Sequence, residues 1–391
     1  MSTENLTSLE RVKTTLRHKQ PDKIPFDLGA STCSGMNIST YTRLRNYLGL
    51  EKKPREIVDI TQQTAVIHRD LQDRLKVDVF SVAPSDPHDR NYETDIELDG
   101  AYYKRTDKWG IQWKMPAKNG HYFDMVANPL KETTTVQQLE QYQLPDPCDD
   151  AMFATMKQRN DALIAEGKAT IINADCAGIW EMSLWINGFE KFFTEMASNK
   201  SFAHAMMRKI TDYKLAYWKK VLDIAGENVL IVQEADDLAT QKNTLISPRM
   251  YREMVHPYHK ELYQFIHSYA KQEVFLFYHS CGACKKLIPY LIDEGVNILN
   301  PVQISADGMD PFSLKQEFGK DLTFWGGGVD TQQVLPHGTP QQIRDNVKRN
   351  VEALSKDGGF VFTTVHNVQS DVSPENYMIM WEAFQELASE A

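Results

Sequence analysis

The fold is decided by the stretch Val274–Cys284, which reads V-F-L-F-Y-H-S-C-G-A-C. Its first five residues are apolar or aromatic, a pattern that predicts a β-strand buried on both faces of a parallel sheet. Residues two apart on a strand point the same way, so His279 and Cys281 are expected to project together from the C-terminal end of this strand. Imidazole and thiolate together suit zinc, which takes three or four protein ligands. A core histidine beside incidental cysteines is the alternative interpretation.

Short apolar stretches of the same kind recur along the chain, and each is followed by sequence with a helical pattern. The predicted strands are Ile24–Ala30, Val77–Ala83, Ala169–Asp175, Val229–Asp236, Val274–His279, Val296–Val302, Leu322–Gly327 and Phe360–His366. Alternation of strand and helix predicts a parallel sheet, and eight repeats predict a closed (β/α)8 TIM barrel. The alternative is an open doubly wound sheet, but Gly326-Gly327-Gly328 lacks the spacing of its phosphate-binding fingerprint.

The remaining pattern predicts helices and one insertion within a single barrel domain of residues 1–391. The predicted helices are Leu9–His18, Tyr41–Leu48, Ile57–Lys76, Val136–Tyr142, Ala151–Glu166, Leu184–Asn199, Phe202–Leu222, Pro248–Gln272, Lys285–Glu294, Pro311–Phe318, Pro340–Ser355 and Pro374–Leu387. Between about 90 and 130, aromatic residues at near-alternating positions predict two or three antiparallel strands inserted in the barrel.

Composition narrows the classes of partner. The net charge is −10, from 43 basic and 53 acidic residues, which argues against nucleic acid as the main partner. No apolar run approaches the length of a membrane span, and the polar N-terminal residues lack the apolar core of a signal peptide. Five cysteines in so long a chain do not form a disulfide framework. A reducing cytoplasm is the expected location, where clustered cysteine and histidine more often indicate metal binding or catalysis.

Polar residues collect where the predicted strands end, which is where a TIM barrel carries its working residues. They are Asp175 and Cys176, Glu234, Asp236 and Asp237, His279 and Cys281, Asn300 and Gln303, Asp330, and His366 and Asn367. Carboxylates are rarely buried. Their presence at several strand ends is therefore a stronger indication of function than any one of them.

The third metal ligand is open on the sequence alone. Alternation along the last predicted strand allows His366 to point inward with His279, and this is the ligand that we favour. Cys284 is the local alternative, because Cys-x-x-Cys is a common zinc spacing. Glu234 could supply an oxygen instead. A site with three protein ligands would keep a position open for catalysis.

The chain resembles the uroporphyrinogen decarboxylase superfamily, and most closely its branch of corrinoid-linked zinc methyltransferases and uncharacterised relatives. The motifs that carry the resemblance are Glu10-Arg11-Val12 through Leu16-Arg17-His18, Pro21-Asp22-Lys23-Ile24-Pro25, Gly188-Phe189-Glu190, Asp236-Asp237-Leu238, Ile246-Ser247-Pro248, His279-Ser280-Cys281-Gly282, Gly327-Gly328-Val329-Asp330-Thr331, His366-Asn367-Val368-Gln369 and Pro374-Glu375-Asn376. The resemblance implies a (β/α)8 barrel.

Two departures from the superfamily pattern bear on the reaction. The true decarboxylases carry an Arg-Gln-Ala-Gly-Arg type segment after the first strand, whose arginines hold the substrate carboxylates. In this chain the corresponding residues 26–32 contain no arginine, which argues against a tetrapyrrole substrate. The zinc methyltransferases carry His-x-Cys and a distant cysteine near the last strand, where this chain has His366.

The resemblance implies a zinc methyltransferase that moves a methyl group from a small O-methyl substrate to a corrinoid protein or free cobalamin. Its predicted site residues are His279, Cys281 and His366 as metal ligands, Asp27, Asp175, Asp236 and Asn367 as catalytic groups, and Gln303, Asp330 and Trp180 as substrate contacts. One alternative is a metal-free decarboxylase or lyase acting on a small acid, with Asp27 or Asp236 as its acid group. Another is a non-catalytic corrinoid- or ligand-binding protein. The oligomeric state stays open.

Overall fold

A curled parallel sheet forms the centre of the protein. The computed structural model describes residues 5–84 and 96–389. Its seven parallel strands, each hydrogen-bonded to the next along the chain, are Val79–Val82, Ala169–Asn173, Ile231–Ala235, Phe275–His279, Ile298–Asn300, Thr323–Trp325 and Phe360–Val361. Because every one of these strands coincides with a predicted strand, the predicted strand order is confirmed.

The eighth position of the barrel is held by two residues of the predicted first strand. Phe26 forms a parallel bridge with Phe362, and Asp27 forms one with Val79. These partners lie at the two edges of the seven-stranded sheet, so the segment joins one edge to the other. The chain turns away at Gly29, whose positive φ of 83° and hydrogen bond from its N–H to the Ser34 carbonyl begin a tight loop. The fold is therefore the predicted TIM barrel, with its first strand reduced to isolated bridges.

Helices cover the outside of the sheet. The α-helices of the described residues are Ser8–Leu16, Ile38–Tyr47, Arg69–Arg74, Val136–Gln141, Asp150–Phe153, Met156–Ala165, Ile179–Asn187, Phe189–Ser198, Lys200–Ala225, Pro248–Met250, His256–Tyr269, Ile288–Glu294, Pro311–Phe318, Val334–His337, Pro340–Leu354 and Pro374–Leu387. A π-helical turn, Tyr251–Val255, and a 3₁₀ turn, Lys285–Leu287, interrupt two predicted helices. No helix within these residues is both long and apolar enough to cross a bilayer.

The clearest helix signals gave the most accurate bounds. Pro311–Phe318 and Pro374–Leu387 have the predicted limits. Each begins with proline, and the residue before it, Asp310 or Ser373, accepts a hydrogen bond from a backbone N–H of the first turn. Proline and the capping side chain act locally, so the sequence specifies these helix starts without help from tertiary contacts.

One predicted helix, Ile57–Lys76, is wrong. Ile57–Asp59 pairs antiparallel with Thr64–Ala65, and only Arg69–Arg74 is helical. The turn between the two strands contains Gln63 at a positive φ of 53°, which a helix does not allow. Of the apolar residues that gave a helical pattern, Ile60, Ala65, Leu71 and Leu75 are buried in the main hydrophobic core.

The insertion is a separate four-stranded antiparallel sheet. Its strands are Glu97–Asp99, Tyr102–Thr106, Gln112–Pro116 and Asp124–Ala127, which is more than the two or three predicted. Residues 90–95 of the predicted insertion lie outside the described residues. Trp109 and Trp113 are buried, and the Trp109 ring packs edge-on against Tyr213 of the long helix, with ring centroids 5.0 Å apart. The insertion is thereby fixed to the barrel beside its mouth.

Candidate metal centre

The three predicted metal ligands lie together at the barrel mouth. The Cys281 Sγ is 3.5 Å from the His279 Nε2, and the ring centroids of His279 and His366 are 5.4 Å apart. Strand parity and barrel closure therefore bring these side chains together as the sequence predicts. Their role as metal ligands stays a prediction.

A second thiol, that of Cys33, joins this group and was missed by the sequence analysis. The donor atoms of Cys33, His279 and His366 all lie within 4.8 Å of one another, and a second, overlapping group contains Asp237, His279 and Cys281. Cys33 lies in the loop that follows the first barrel position, which the sequence analysis passed over. A cysteine directly after a predicted barrel strand was the signal that could have identified it.

The loop that carries Cys33 is held by hydrogen bonds from several directions. The Asn367 Oδ1 accepts from the Gly35 N–H at 2.6 Å, and the Asn367 Nδ2 donates to the Thr32 carbonyl at 2.8 Å. Asn367, a predicted catalytic residue, is buried and spans the loop on both sides of Cys33. We therefore propose that Asn367 positions the loop that carries the Cys33 thiol and takes no direct part in the chemistry.

The His279 ring is oriented by a buried amide. The Asn300 Nδ2 donates to the Trp325 carbonyl at 2.9 Å, which leaves its Oδ1 facing the His279 Nδ1 at 2.6 Å. The Nδ1 therefore carries the proton, and the Nε2 is directed at the thiols. Such an outer hydrogen bond is the usual support of a metal-binding imidazole.

The electrostatics of the group fit a thiophilic divalent cation. Burial raises the pKa of the Cys33 thiol, but His279 and His366 outweigh it and bring that pKa down to about 6. Burial lowers the pKa of His366, but the Cys281 and Cys33 thiols outweigh it and raise that pKa to about 10. The site thus favours ionised thiols beside protonated imidazoles. A cation that displaces the imidazole protons would keep the thiolates compensated, which is the chemistry of a zinc site.

Cys284 and Glu234, the two alternative third ligands, lie outside the donor group. Cys284 is fully buried, and burial raises the pKa of its thiol to about 12, as expected of a packed thiol. Glu234 is also fully buried and accepts hydrogen bonds from the Lys214 ammonium and the Trp218 indole. Neither belongs to the two groups of donor atoms found among the described residues.

A cavity of about 1220 Å³ opens beside the donor group. Cys33, His279 and His366 form part of its wall, and Trp109 of the insertion forms another. Its charged lining residues within the described parts of the chain are Asp59, Arg105, Asp107, Lys108, Arg159, Asp175, Glu181 and Asp237, besides the histidines. Of these residues, Asp175 and Asp237 are predicted from the sequence to lie at strand ends, and only Asp175 is predicted to be catalytic. Apart from the two histidines, five carboxylates stand against three cations on this lining, which argues against a ligand that bears many carboxylates.

Asp27 and Asp236, both predicted as catalytic, are buried below the cavity and are not part of its lining. The Asp27 Oδ2 accepts from the Trp325 indole at 2.8 Å, and burial raises the pKa of Asp27 to about 6. The Asp236 carboxylate accepts from His259 at 2.6 Å and from the first N–H groups of the Ile179–Asn187 helix. Because their oxygens bond to protein donors, both carboxylates hold neighbouring segments of the barrel together, and their catalytic role stays a prediction.

The three predicted substrate contacts lie outside the cavity lining. The Gln303 Oε1 accepts from the Gly282 N–H at 2.7 Å and so fixes the turn after Cys281. The Asp330 Oδ1 accepts from the N–H groups of Gln332 and Gln333. Trp180 is fully buried, with its indole directed at the Met196 sulfur. These residues position backbone or fill the core, and their predicted contact with substrate stays a prediction.

Comparison with known proteins places the chain in a family. The family model for uroporphyrinogen decarboxylase matches residues 107–387. The chain belongs to the uroporphyrinogen decarboxylase family.

Individual members of the uroporphyrinogen decarboxylase family are distant from this chain. The uroporphyrinogen decarboxylase of Psychromonas ingrahamii is 23% identical over 281 residues, which cover 69% of this chain and 74% of that protein. The one from Pelodictyon phaeoclathratiforme is 24% identical over 195 residues, covering 49% and 51%. Among solved structures, a methyltransferase from Methanosarcina mazei aligns with a TM-score of 0.66 at 13% identity, covering 98% of this chain and 99% of that one. At this identity the likeness shows the barrel fold alone.

This member of the uroporphyrinogen decarboxylase family carries a buried histidine between two carboxylates beneath the mouth. Neither the His259 side chain nor its partners Asp236 and Glu294 are exposed, and His259 is 2.6 Å from the Asp236 Oδ2 and 3.5 Å from the Glu294 Oε2. Burial lowers the pKa of His259, but hydrogen bonds to Asp236 and Glu294 outweigh it and raise that pKa to about 9. The hydroxyl of Tyr251 also donates to Glu294.

The free energy of unfolding is expected to depend on pH through His259. Its folded pKa of about 9 lies above the value of about 6.5 for the unfolded chain, so its stabilising effect is complete below pH 6.5 and is lost as pH rises through 9. The loss should reach about 2–3 kcal/mol. Urea unfolding measured across this pH range should show the decline in the wild type and a flatter profile for His259→Gln. Equal slopes in the two proteins would contradict the assignment.

Proposed function

We propose that this protein is a zinc-dependent methyltransferase that passes a methyl group from a small O-methyl compound to a corrinoid protein or free cobalamin. The group of two thiols and two imidazoles beside a large cavity carries this proposal. Membership of the uroporphyrinogen decarboxylase family and the fold shared with a methyltransferase support it.

The proposed ligands are His279, His366 and Cys33, with Cys281 as the fourth donor in contact with the His279 imidazole. Zinc bound there would act as a Lewis acid on the ether oxygen, which would enter beside the four donors as a fifth ligand, and would stabilise the departing alkoxide. The chain contributes orientation, because Asn300 fixes the His279 ring and Asn367 fixes the Cys33 loop.

Aromatic side chains shape the rest of the cavity. Trp109, Trp113, Trp185 and Tyr122 belong to its lining, and three of them come from the insertion. The Trp113 and Trp185 rings meet edge-on, with centroids 5.6 Å apart. These rings present apolar surface to a ligand.

Decarboxylation of a small acid is the second candidate function, favoured by the names of the two curated relatives. The natural substrate of those relatives is a poor fit to this cavity, because its lining includes five carboxylates, at Asp59, Asp107, Asp175, Glu181 and Asp237. A buried carboxylate of the substrate requires compensating cations. We therefore restrict this alternative to acids with few carboxylates.

The proposed reaction is tested with zinc-loaded protein, free cob(I)alamin and a panel of methyl donors that includes methanol and methyl ethers. We expect methylcobalamin to form with at least one methyl ether, detected by its absorption spectrum, and Cys281→Ser to abolish it. In parallel, small carboxylic acids and uroporphyrinogen are incubated with metal-free protein and assayed for carbon dioxide. No methyl transfer with any donor, or release of carbon dioxide by metal-free protein, would refute the proposal. Tight corrinoid binding without turnover would point to a binding protein.

A further inference from the structure

Two residues that line the cavity near the C-terminal end of the Ala169–Asn173 strand each carry an unpaired acceptor atom. The Asn173 Oδ1 and the Asp175 Oδ1 are both buried and have no hydrogen-bond donor among the described residues. The side chain of Asp175 is 2% exposed, and Asn173 is 1% exposed. Buried polar atoms are nearly always paired, so two orphaned acceptors on one wall call for a ligand that donates.

The orientation of each unpaired oxygen is fixed by the hydrogen bonds of the other polar atom in the same side chain. The Asn173 Nδ2 donates to the Ala30 carbonyl at 3.1 Å and to the Ser81 hydroxyl at 3.0 Å, which leaves the Oδ1 on the opposite side. The Asp175 Oδ2 accepts from the Tyr213 hydroxyl at 2.5 Å, which leaves its Oδ1 unpaired. Rotation of either side chain would break these bonds, so the unpaired oxygens stay where they are.

Tyr213 keeps its role as donor under all ordinary conditions. Burial and the neighbouring Asp175 raise the pKa of Tyr213, so its hydroxyl stays protonated. The Lys108 ammonium lies 3.5 Å from the same Asp175 Oδ2 and offsets part of the carboxylate charge. A neutral hydroxyl and a protonated amine are therefore both suited to the free Oδ1.

These acceptors are separated from the donor group by one intervening strand. The Ala169–Asn173 strand pairs with Ile231–Ala235, which in turn pairs with Phe275–His279. Two strand spacings put the acceptors about 10 Å from the thiols and imidazoles across the mouth. A molecule of the size of methanol cannot reach both.

We propose that Asn173 and Asp175 form a second subsite that binds a hydroxyl or amino group at the end of the substrate remote from its methyl group. This inference rests on the proposed methyl transfer, which identifies the end of the substrate at the donor group as a methyl ether. The substrate class is thereby an elongated methyl ether with a distal hydrogen-bond donor. The cavity, at about 1220 Å³, has room for such a molecule.

The subsite is tested by calorimetric binding of three series of probes to the zinc-loaded protein. The probes are ω-methoxy alcohols, ω-methoxyalkylamines and 1-methoxyalkanes of matched, increasing chain length. We expect the alcohol or the amine series to bind about 10- to 100-fold more tightly than the methoxyalkanes, with an optimum at a span of about 10 Å. Whichever series prevails shows which donor group the subsite takes. Equal affinity across all three series would overturn the inference.

Asp175→Asn is the decisive variant, because the Tyr213 hydroxyl can still donate to the amide oxygen. The amide N–H₂ then takes the place of the free acceptor, so the preference for a distal ammonium should vanish while methoxyalkane binding stays unchanged, whereas a distal hydroxyl can still accept from the amide. Asp175→Ala removes both donor and acceptor and should abolish the preference for the alcohol as well as for the amine. Asp223→Asn alters an exposed carboxylate and serves as the matched control. A preference that survives both Asp175 variants would refute the subsite.

The binding assay separates this inference from the proposed function. If no methyl ether is turned over but Asp175→Ala abolishes the preference, the subsite stands and methyl transfer is wrong. The KM ratio between substrates with and without a distal donor is measured in the wild type and in Asp175→Ala. If methyl ethers are turned over and this ratio is the same in both proteins, methyl transfer stands and the subsite is wrong.

Discussion

Cys33→Ser is expected to reduce zinc affinity by about 100-fold or more and to abolish methyl transfer. Burial raises the pKa of the Cys33 thiol, but the neighbouring His279 and His366 outweigh this effect and lower that pKa to about 6. It is therefore ionised at neutral pH and ready to bind a cation. Serine has nearly the same shape, but its hydroxyl does not ionise at neutral pH. Zinc content after dialysis against a chelator, measured by atomic emission, gives the result directly.

Two comparisons make the Cys33→Ser result specific. Cys284→Ala should leave zinc content unchanged, since Cys284 is a fully buried thiol outside the donor group. Cys281→Ser should weaken zinc binding sharply. If Cys33→Ser retains its zinc and His366→Ala loses it, the ligand set is the one the sequence predicts, without Cys33. If Cys284→Ala empties the site and His366→Ala does not, the third ligand is wrong.

Lys214→Met is expected to lower the free energy of unfolding by about 3–5 kcal/mol, the largest stability effect that we predict. Neither Lys214 nor its partner Glu234 is exposed, and the Lys214 Nζ is 2.8 Å from the Glu234 Oε2. Removing the ammonium leaves the Glu234 carboxylate in the core with the Trp218 indole as its donor. The cost comes from the uncompensated buried charge more than from the lost attraction.

The measurement is the thermal and urea unfolding of Lys214→Met beside a control on the same helix. Lys219→Met removes an ammonium that is paired with Asp223 on the exposed face, and its effect should be small. Adding Glu234→Gln to Lys214→Met removes the orphaned charge and should restore part of the stability. If Lys214→Met were as stable as Lys219→Met, the buried pair would not carry the stability assigned to it.

Local patterns determined the barrel and three of the four proposed metal ligands. Strand–helix alternation is encoded in short stretches, so all eight barrel positions were predicted in order. The side chains of His279 and Cys281 point the same way because the two residues are two apart on one strand. His366 was placed opposite them because a closed barrel brings all strand ends to one mouth.

Only the tertiary structure shows that the loop carrying Cys33 folds over the barrel mouth. Cys33 reaches His279 and His366 only because a turn at Gly29 and hydrogen bonds from Asn367 fold its loop inward. The sequence pattern of Ile57–Lys76 suited a helix, yet its first part forms a short hairpin in which Thr64 also bridges to the distant Asn37.

The roles of the acidic residues also depended on their partners. In the sequence, Asp175 and Asp236 are the last residues of predicted strands, and Asp27 lies inside one. In the structure, Trp325 occupies one oxygen of Asp27 and His259 one oxygen of Asp236, whereas an oxygen of Asp175 stays unpaired at the cavity. Periodicity and residue type place a carboxylate at the barrel mouth. Only the packing of distant segments decides whether it bonds to the protein or faces a ligand.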